Sequence, residues 1–176
     1  MLRLLLFVQI GLFASTGQAG GLIQPGDRLL AQTSVWTAHY DPESDHNNHQ
    51  RLINLEYYFA PQTRPYQIDF GDWRDDLQWL AGAATFRNSF DQQSQYVYGG
   101  SRYDLPVSQF SNVYIKVTAG LLHGYRGEYQ DKVPFNSLGI APVILPAVGW
   151  QYRRANVELV PFGTAGMTMN VGWIFD

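Results

Sequence analysis

Apolar and polar residues alternate with a period of two through most of this chain. Val113, Ile115, Val117, Ala119 and Leu121 define one face of a segment. Asn112, Tyr114, Lys116, Thr118 and Gly120 define the other. The last segment follows the same rule, with Met167, Met169, Val171, Trp173 and Phe175 set against Thr168, Asn170 and Gly172. Side chains of a strand point alternately to its two faces, so each segment predicts a strand with one apolar and one polar surface. Residues 51–59 repeat the pattern, with Ile53, Leu55, Tyr57 and Phe59 opposing Leu52, Asn54, Glu56 and Tyr58.

Further strands are expected at 28–40, 77–88, 95–103 (interrupted at Gly99-Gly100), 138–152 and 156–161, with the last at 168–175, giving eight in all. Polar or charged stretches separate them: 41–50, 60–76, 89–94, 104–110, 124–137, a tight turn at 153–155, and 162–166. The 60–76 connection is long for a turn and leaves room for a bulge or short helix. In the sixth strand Val143, Ile144 and Leu145 lie between Pro142 and Pro146. Each proline removes a ladder donor, so local unzipping is expected there.

The faces decide the fold class. Lys116, Asn54 and Glu56 are costly against lipid and tolerable in a polar lumen. The expectation is all-β: an eight-stranded antiparallel transmembrane β-barrel of the outer membrane, one domain over residues 20–176. Residues 1–19 support export. Arg3 precedes an apolar run from Leu4 to Phe13, and Gly17 and Ala19 are small, as in a secretory signal peptide. No later segment has the apolar length of a membrane-spanning helix. Removing the leader takes the net charge from -3 to -4, so nucleic acid is not an expected partner. The chain has no cysteine, which excludes disulfides and thiolate metal sites. Aromatic content of 15 %, led by tyrosine, suits residues placed at membrane–water interfaces.

With the N-terminus at the periplasmic end, the connections around 41–50, 89–94, 124–137 and 162–166 all face outward. His39, His46, His49 and His123 and the hydroxyl of Ser89 then gather at one rim. A serine hydroxyl needs a nearby base to act in acyl chemistry, and His39 and Ser89 end neighbouring upward strands. On residue types alone, rim residues hydrogen-bonded within loops are the simpler reading. His46-Asn-Asn-His49, near Asp41, Glu43 and Asp45, has ligand-like spacing, but it falls in a segment that reads as a solvated loop.

Several motifs carry a family resemblance. Phe86-Arg-Asn-Ser-Phe90 resembles the Phe-x-Asp-Ser-aromatic motif of the lipid A palmitoyltransferases. Tyr98-Gly99-Gly100 is similar to that family's Tyr-Gly-Trp, and Thr118-Ala-Gly-Leu121 to its Thr-Ala-Gly-Val. Residues 142–150, Pro-Val-Ile-Leu-Pro-Ala-Val-Gly-Trp, resemble its Pro-Val-Leu-Leu-Pro-Leu-Ala-Ser-Val-Gly-Tyr. The resemblance implies an outer-membrane barrel that moves a fatty acyl chain, palmitoyl in the family, from a glycerophospholipid donor to a lipid A acceptor. It implies a monomer and no cofactor. It assigns the catalytic positions to His39, Asn88 and Ser89, with prolines opening gates for lipid chains. Asn88 stands where the family has Asp, and Asp91 is a nearby substitute. This chain also departs from the family in lacking its long N-terminal amphipathic helix.

Three other readings compete. A lipid A deacylase of the same architecture resembles a His-x-Ser pair on one strand face, which is absent here. A structural or adhesive barrel would be indifferent to Ser89 and His39. A soluble lipocalin-like barrel would be polar outside, against the pattern of the fifth and eighth strands.

Overall fold

A computed structural model of the protein describes residues 23–41, 47–65, 68–106 and 112–176. The expected leader at 1–19 and His46 lie outside these residues. Eight strands close into one barrel in sequence order: β1 (Arg28–His39), β2 (Ile53–Tyr58), β3 (Gln78–Arg87), β4 (Gln93–Asp104), β5 (Val113–His123), β6 (Ile140–Tyr152), β7 (Ala155–Pro161) and β8 (Gly166–Phe175). Every neighbouring pair is antiparallel, and β1 pairs with β8 to complete the ring.

The alternation predicted from sequence sorts side chains between the two surfaces. Val97, Ile115, Val117, Leu121, Ile144 and Val148 stand exposed on the outside. Tyr114, Lys116, Thr118, Asn54, Glu56 and Asn170 are buried inside. An apolar exterior around a polar interior is the construction of a membrane-spanning outer-membrane barrel, in which every strand edge is paired and lipid meets only apolar side chains. Among the described residues no helix is long and apolar enough to cross a membrane. The strands do the crossing.

The interior is divided into two halves. The lower half, toward the chain ends, is filled by a polar network. Lys116 Nζ lies 2.6 Å from both Glu56 Oε1 and Glu158 Oε2, and all three are at most 3 % exposed. Tyr58 donates to Glu56 (2.7 Å), and Tyr114 donates to Glu158 (2.9 Å). Asn54, Gln32, Asn156 and the Tyr114 hydroxyl continue the chain of bonds around the wall. The expected lumenal place of Lys116 is thus observed, with its partners supplied by strands β2 and β7. Gly82 makes room for this layer: a Cβ there would lie 2.5 Å from the Tyr98 ring. The upper half holds smaller and apolar side chains, among them Ala84, Phe86, Leu122, Val143 and Leu145.

Two ladders stop short in the upper half. β6 keeps its pairing with β5 from Ile140 to Trp150, Pro142 facing Leu121 and Pro146 facing Val117. Its pairing with β7 covers only Val148–Tyr152, so residues 140–147 have no β7 partner. The unzipping expected from the prolines is therefore confined to the β7 side. A second interruption was not foreseen. β1 pairs with β2 only from Arg28 to Thr33, while its continuation to His39 pairs with β8 alone. The β1–β2 ladder is capped by side-chain bonds, Thr33 Oγ1 to the Leu52 carbonyl and Leu52 N–H to Ser34 Oγ.

Other differences from the sequence reading are local. Gly99-Gly100 does not interrupt β4; the strand runs through both, because a Cβ at Gly100 would lie 2.4 Å from the Val117 carbonyl and only a bare backbone fits. The 60–76 connection carries two short 3-10 helices, Pro61–Thr63 and Trp73–Asp76. The first is tied to the barrel by Asp27, whose carboxylate accepts from Ala60 N–H (2.8 Å), Gln24 N–H (2.8 Å), Thr63 Oγ1 and Tyr57.

Candidate active site

His39 ends β1 and Ser89 sits in the five-residue turn between β3 and β4. The barrel brings them together. His39 Nε2 lies 2.7 Å from Ser89 Oγ, and both are buried. The β1 backbone delivers His39 to this point with help from a bulge between Ser34 and Trp36. A bulge shifts the inward-pointing set by one residue, so that Thr37 and His39 face the lumen as Leu30 and Gln32 do lower down. Phe162 packs edge-on against the imidazole, with ring centroids 5.7 Å apart.

The other imidazole nitrogen is also held. His39 Nδ1 lies 2.9 Å from Asn48 Oδ1. The sequence offered residues 46–49 only as a polar loop or a loose cation site, and Asn48 was missed. Nothing in its composition distinguishes it from its neighbours; only the folding of the loop over the rim does. That folding is fixed by backbone bonds from Asn47 N–H to the Ser89 carbonyl (2.7 Å) and from Arg87 N–H to the Gln50 carbonyl (2.6 Å). Asn47 also caps His49 N–H with its own side chain, leaving His49 exposed. Among the described residues no three His, Cys, Asp or Glu side chains gather to hold a metal ion.

Asn88 has a different place from Ser89. Its Oδ1 accepts from the backbone N–H groups of Phe90 (2.9 Å) and Gln92 (3.0 Å), closing the β3–β4 turn. It is almost fully buried and shapes the turn that presents Ser89. Asp91, the substitute for the family's Asp, is exposed with a left-handed backbone and pairs with Arg87 at 3.7 Å. His123 turns into its own loop: Nδ1 faces the Gly139 carbonyl at 2.7 Å, and Nε2 faces Arg126. Tyr125 was also missed. It lines the same cavity as Ser89, and burial pushes its phenol up, so it keeps its proton at neutral pH.

The pair stands at the mouth of a cavity of about 720 Å³. Apolar side chains line its walls, including Ala84, Phe86, Leu122, Val143 and Leu145, and the buried Lys116–Glu56–Glu158 layer forms its floor. Pro142 and Ile144 on β6, Val160 on β7 and Leu52 at the end of the β1–β2 ladder also line it, so both interrupted ladders border the same space.

No family model matches the chain, and no curated protein matches it either. Solved structures of similar architecture include the outer membrane protein Ail of Yersinia pestis. Its backbone structure in phospholipid bilayer nanodiscs superposes with a TM-score of 0.43 and 15 % identity, covering 85 % of this chain and 98 % of that one. The crystal structure of Ail, the attachment invasion locus protein, gives 0.42 and 12 %, covering 85 % and 99 %.

Proposed function

We propose that this barrel transfers a fatty acyl chain from a glycerophospholipid to lipid A in the outer membrane. The observation that carries this reading is the His39–Ser89 pair at the mouth of an apolar cavity bordered by two interrupted ladders. Acyl transfer between two lipids needs a hydroxyl–imidazole pair, an apolar slot for the chain, and lateral access for both donor and acceptor. The pair, the apolar cavity and the two interrupted ladders lie in the same half of this barrel. The slot holds the donor's chain out of water and fixes its ester beside Ser89, so the reaction gains from proximity. The motifs shared with lipid A palmitoyltransferases point to the same substrates, and the cavity's polar floor limits how long a chain it accepts.

A purely structural barrel would have no use for a hollow upper half, since small barrels fill their interior with side chains. The test is reconstitution in vesicles containing lipid A and a phospholipid labelled on one acyl chain. The reading expects labelled lipid A together with lysophospholipid. Free fatty acid alone would mean hydrolysis, and no turnover by a folded barrel would reject an enzymatic role.

A further inference from the structure

Three groups on three separate segments form one line: Asn48 Oδ1 to His39 Nδ1 at 2.9 Å, and His39 Nε2 to Ser89 Oγ at 2.7 Å. We infer that Ser89 is a nucleophile activated by a Ser–His–Asn relay, and that the acyl chain passes through a covalent Ser89 ester. The inference rests on the acyltransferase reading for its substrates, but the relay itself stands on geometry alone.

The direction of the bonds follows from chemistry. A carbonyl oxygen only accepts, so Asn48 requires the proton on Nδ1. Nε2 is then bare and accepts the Ser89 hydroxyl proton, as general-base activation of a serine demands. Asn48 acts through His39 and touches no reacting atom, so it is a positioning residue. It comes from the 47–50 segment, which the Asn47–Ser89 and Arg87–Gln50 backbone bonds fasten to the β3–β4 turn. Base, nucleophile and positioning group thus share one small hydrogen-bonded unit.

The chemistry closes in two balanced steps. Ser89 Oγ attacks the ester carbonyl of the phospholipid while His39 Nε2 takes the hydroxyl proton. The carbon–oxygen bond to glycerol breaks, and the leaving oxygen takes that proton from His39, giving lysophospholipid and acyl-Ser89. A lipid A hydroxyl then attacks the acyl-Ser89 carbonyl, loses its proton to His39, and Ser89 Oγ recovers the proton as it leaves. No further reactant is needed. Tyr125 is a further polar side chain lining the cavity with Ser89. Asp41 and Lys132 are the remaining charged side chains at the cavity mouth, with Glu56, Lys116 and Glu158 at its floor.

The test uses a fluorophosphonate probe, which labels only activated serines, on the full barrel in detergent micelles and in the lipid A vesicles described above. Intact-mass and peptide analysis should find one adduct, on Ser89, absent in Ser89→Ala. Asn48→Ala should label at least about tenfold more slowly. Asn48→Asp should restore labelling, with its acid limb moved to higher pH because a carboxylate stabilises the imidazolium; a merely structural residue would not move that limb. Transfer of acyl chains to lipid A without labelling of Ser89 overturns the inference and leaves the transferase reading intact. So does labelling of Asn48→Ala at the wild-type rate. Labelling of Ser89 without lipid A acylation supports the nucleophile and rejects the transferase reading instead.

Discussion

His39 and Ser89 are fifty residues apart in the chain, and their side chains meet at 2.7 Å. One ends β1 and the other follows β3, so β2 stands between their strands. The contact exists because β2 is short. Past Thr33 β1 is paired with β8 only, and the 47–50 segment crosses to the β3–β4 turn in the space left free. The same shortfall that shortens the β1–β2 ladder brings His39 and Ser89 together.

Asn88 should tolerate Asp and reject Ala. Either carboxylate or amide oxygen accepts the Phe90 and Gln92 N–H groups, whereas Asn88→Ala leaves two donors without that acceptor. We expect Asn88→Ala to lose about 1–3 kcal/mol of stability and to displace Ser89. Urea unfolding of the refolded barrel, followed by tryptophan fluorescence, measures the first effect. Acyl transfer measures the second, with Asn88→Asp close to wild type in both.

Ala84 faces the cavity with only a methyl group. Ala84→Leu fills part of the slot without touching His39 or Ser89. The proposed transfer should then favour shorter acyl chains, read as a shift to lower mass in the acylated lipid A formed from a mixture of phospholipids. An unchanged chain profile would place the acyl group elsewhere.

Lys116 is paired with two buried carboxyl groups at 2.6 Å each. Lys116→Met keeps most of the apolar stem and removes the charged partner of Glu56 and Glu158. Removing one member of a buried ionic cluster costs about 3–5 kcal/mol, and the variant should unfold at a clearly lower urea concentration. Replacing Glu158 by Gln in the same variant should recover part of the loss, since one fewer uncompensated charge remains.

Asp27 links pH to the end of the barrel where β1 begins. Burial raises the Asp27 carboxyl, but hydrogen bonds from Thr63, Tyr57, Ala60 and Gln24 together outweigh it and hold the group below its ordinary value of 3.8. A group depressed on folding contributes stability above its unfolded value and loses it as pH falls through the folded one. Wild-type barrel should therefore weaken below about pH 4 more than Asp27→Asn does, as measured by unfolding midpoints across an acid series. Equal slopes for the two proteins would sink this assignment.

Strands were legible because alternation in a membrane barrel is enforced on both faces. Lys116 and Glu56 could only point inward, and Ile115 and Val117 only outward. The proline gap was legible for the same reason, since Pro142 and Pro146 cannot donate to a ladder. Less could be read where the determinant is not local. The β1–β2 gap has no proline; it follows from where the 47–52 segment folds. Asn48 and Tyr125 carry no sequence signal of their own, because an asparagine beside a histidine becomes a relay only when a third segment places it there. Asn88 was marked by a motif, yet its acceptor oxygen is spent on the turn backbone.

His39 and Ser89 are proposed to move an acyl chain onto lipid A. Mass spectrometry of lipid A from outer membranes of cells producing wild type, Ser89→Ala or His39→Ala tests it most directly, with heat-modifiable migration on gels confirming each folded barrel. Wild type should add the mass of one acyl chain, and both variants should abolish the addition. An unchanged lipid A mass in wild-type cells, or an addition that survives in both variants, would contradict it.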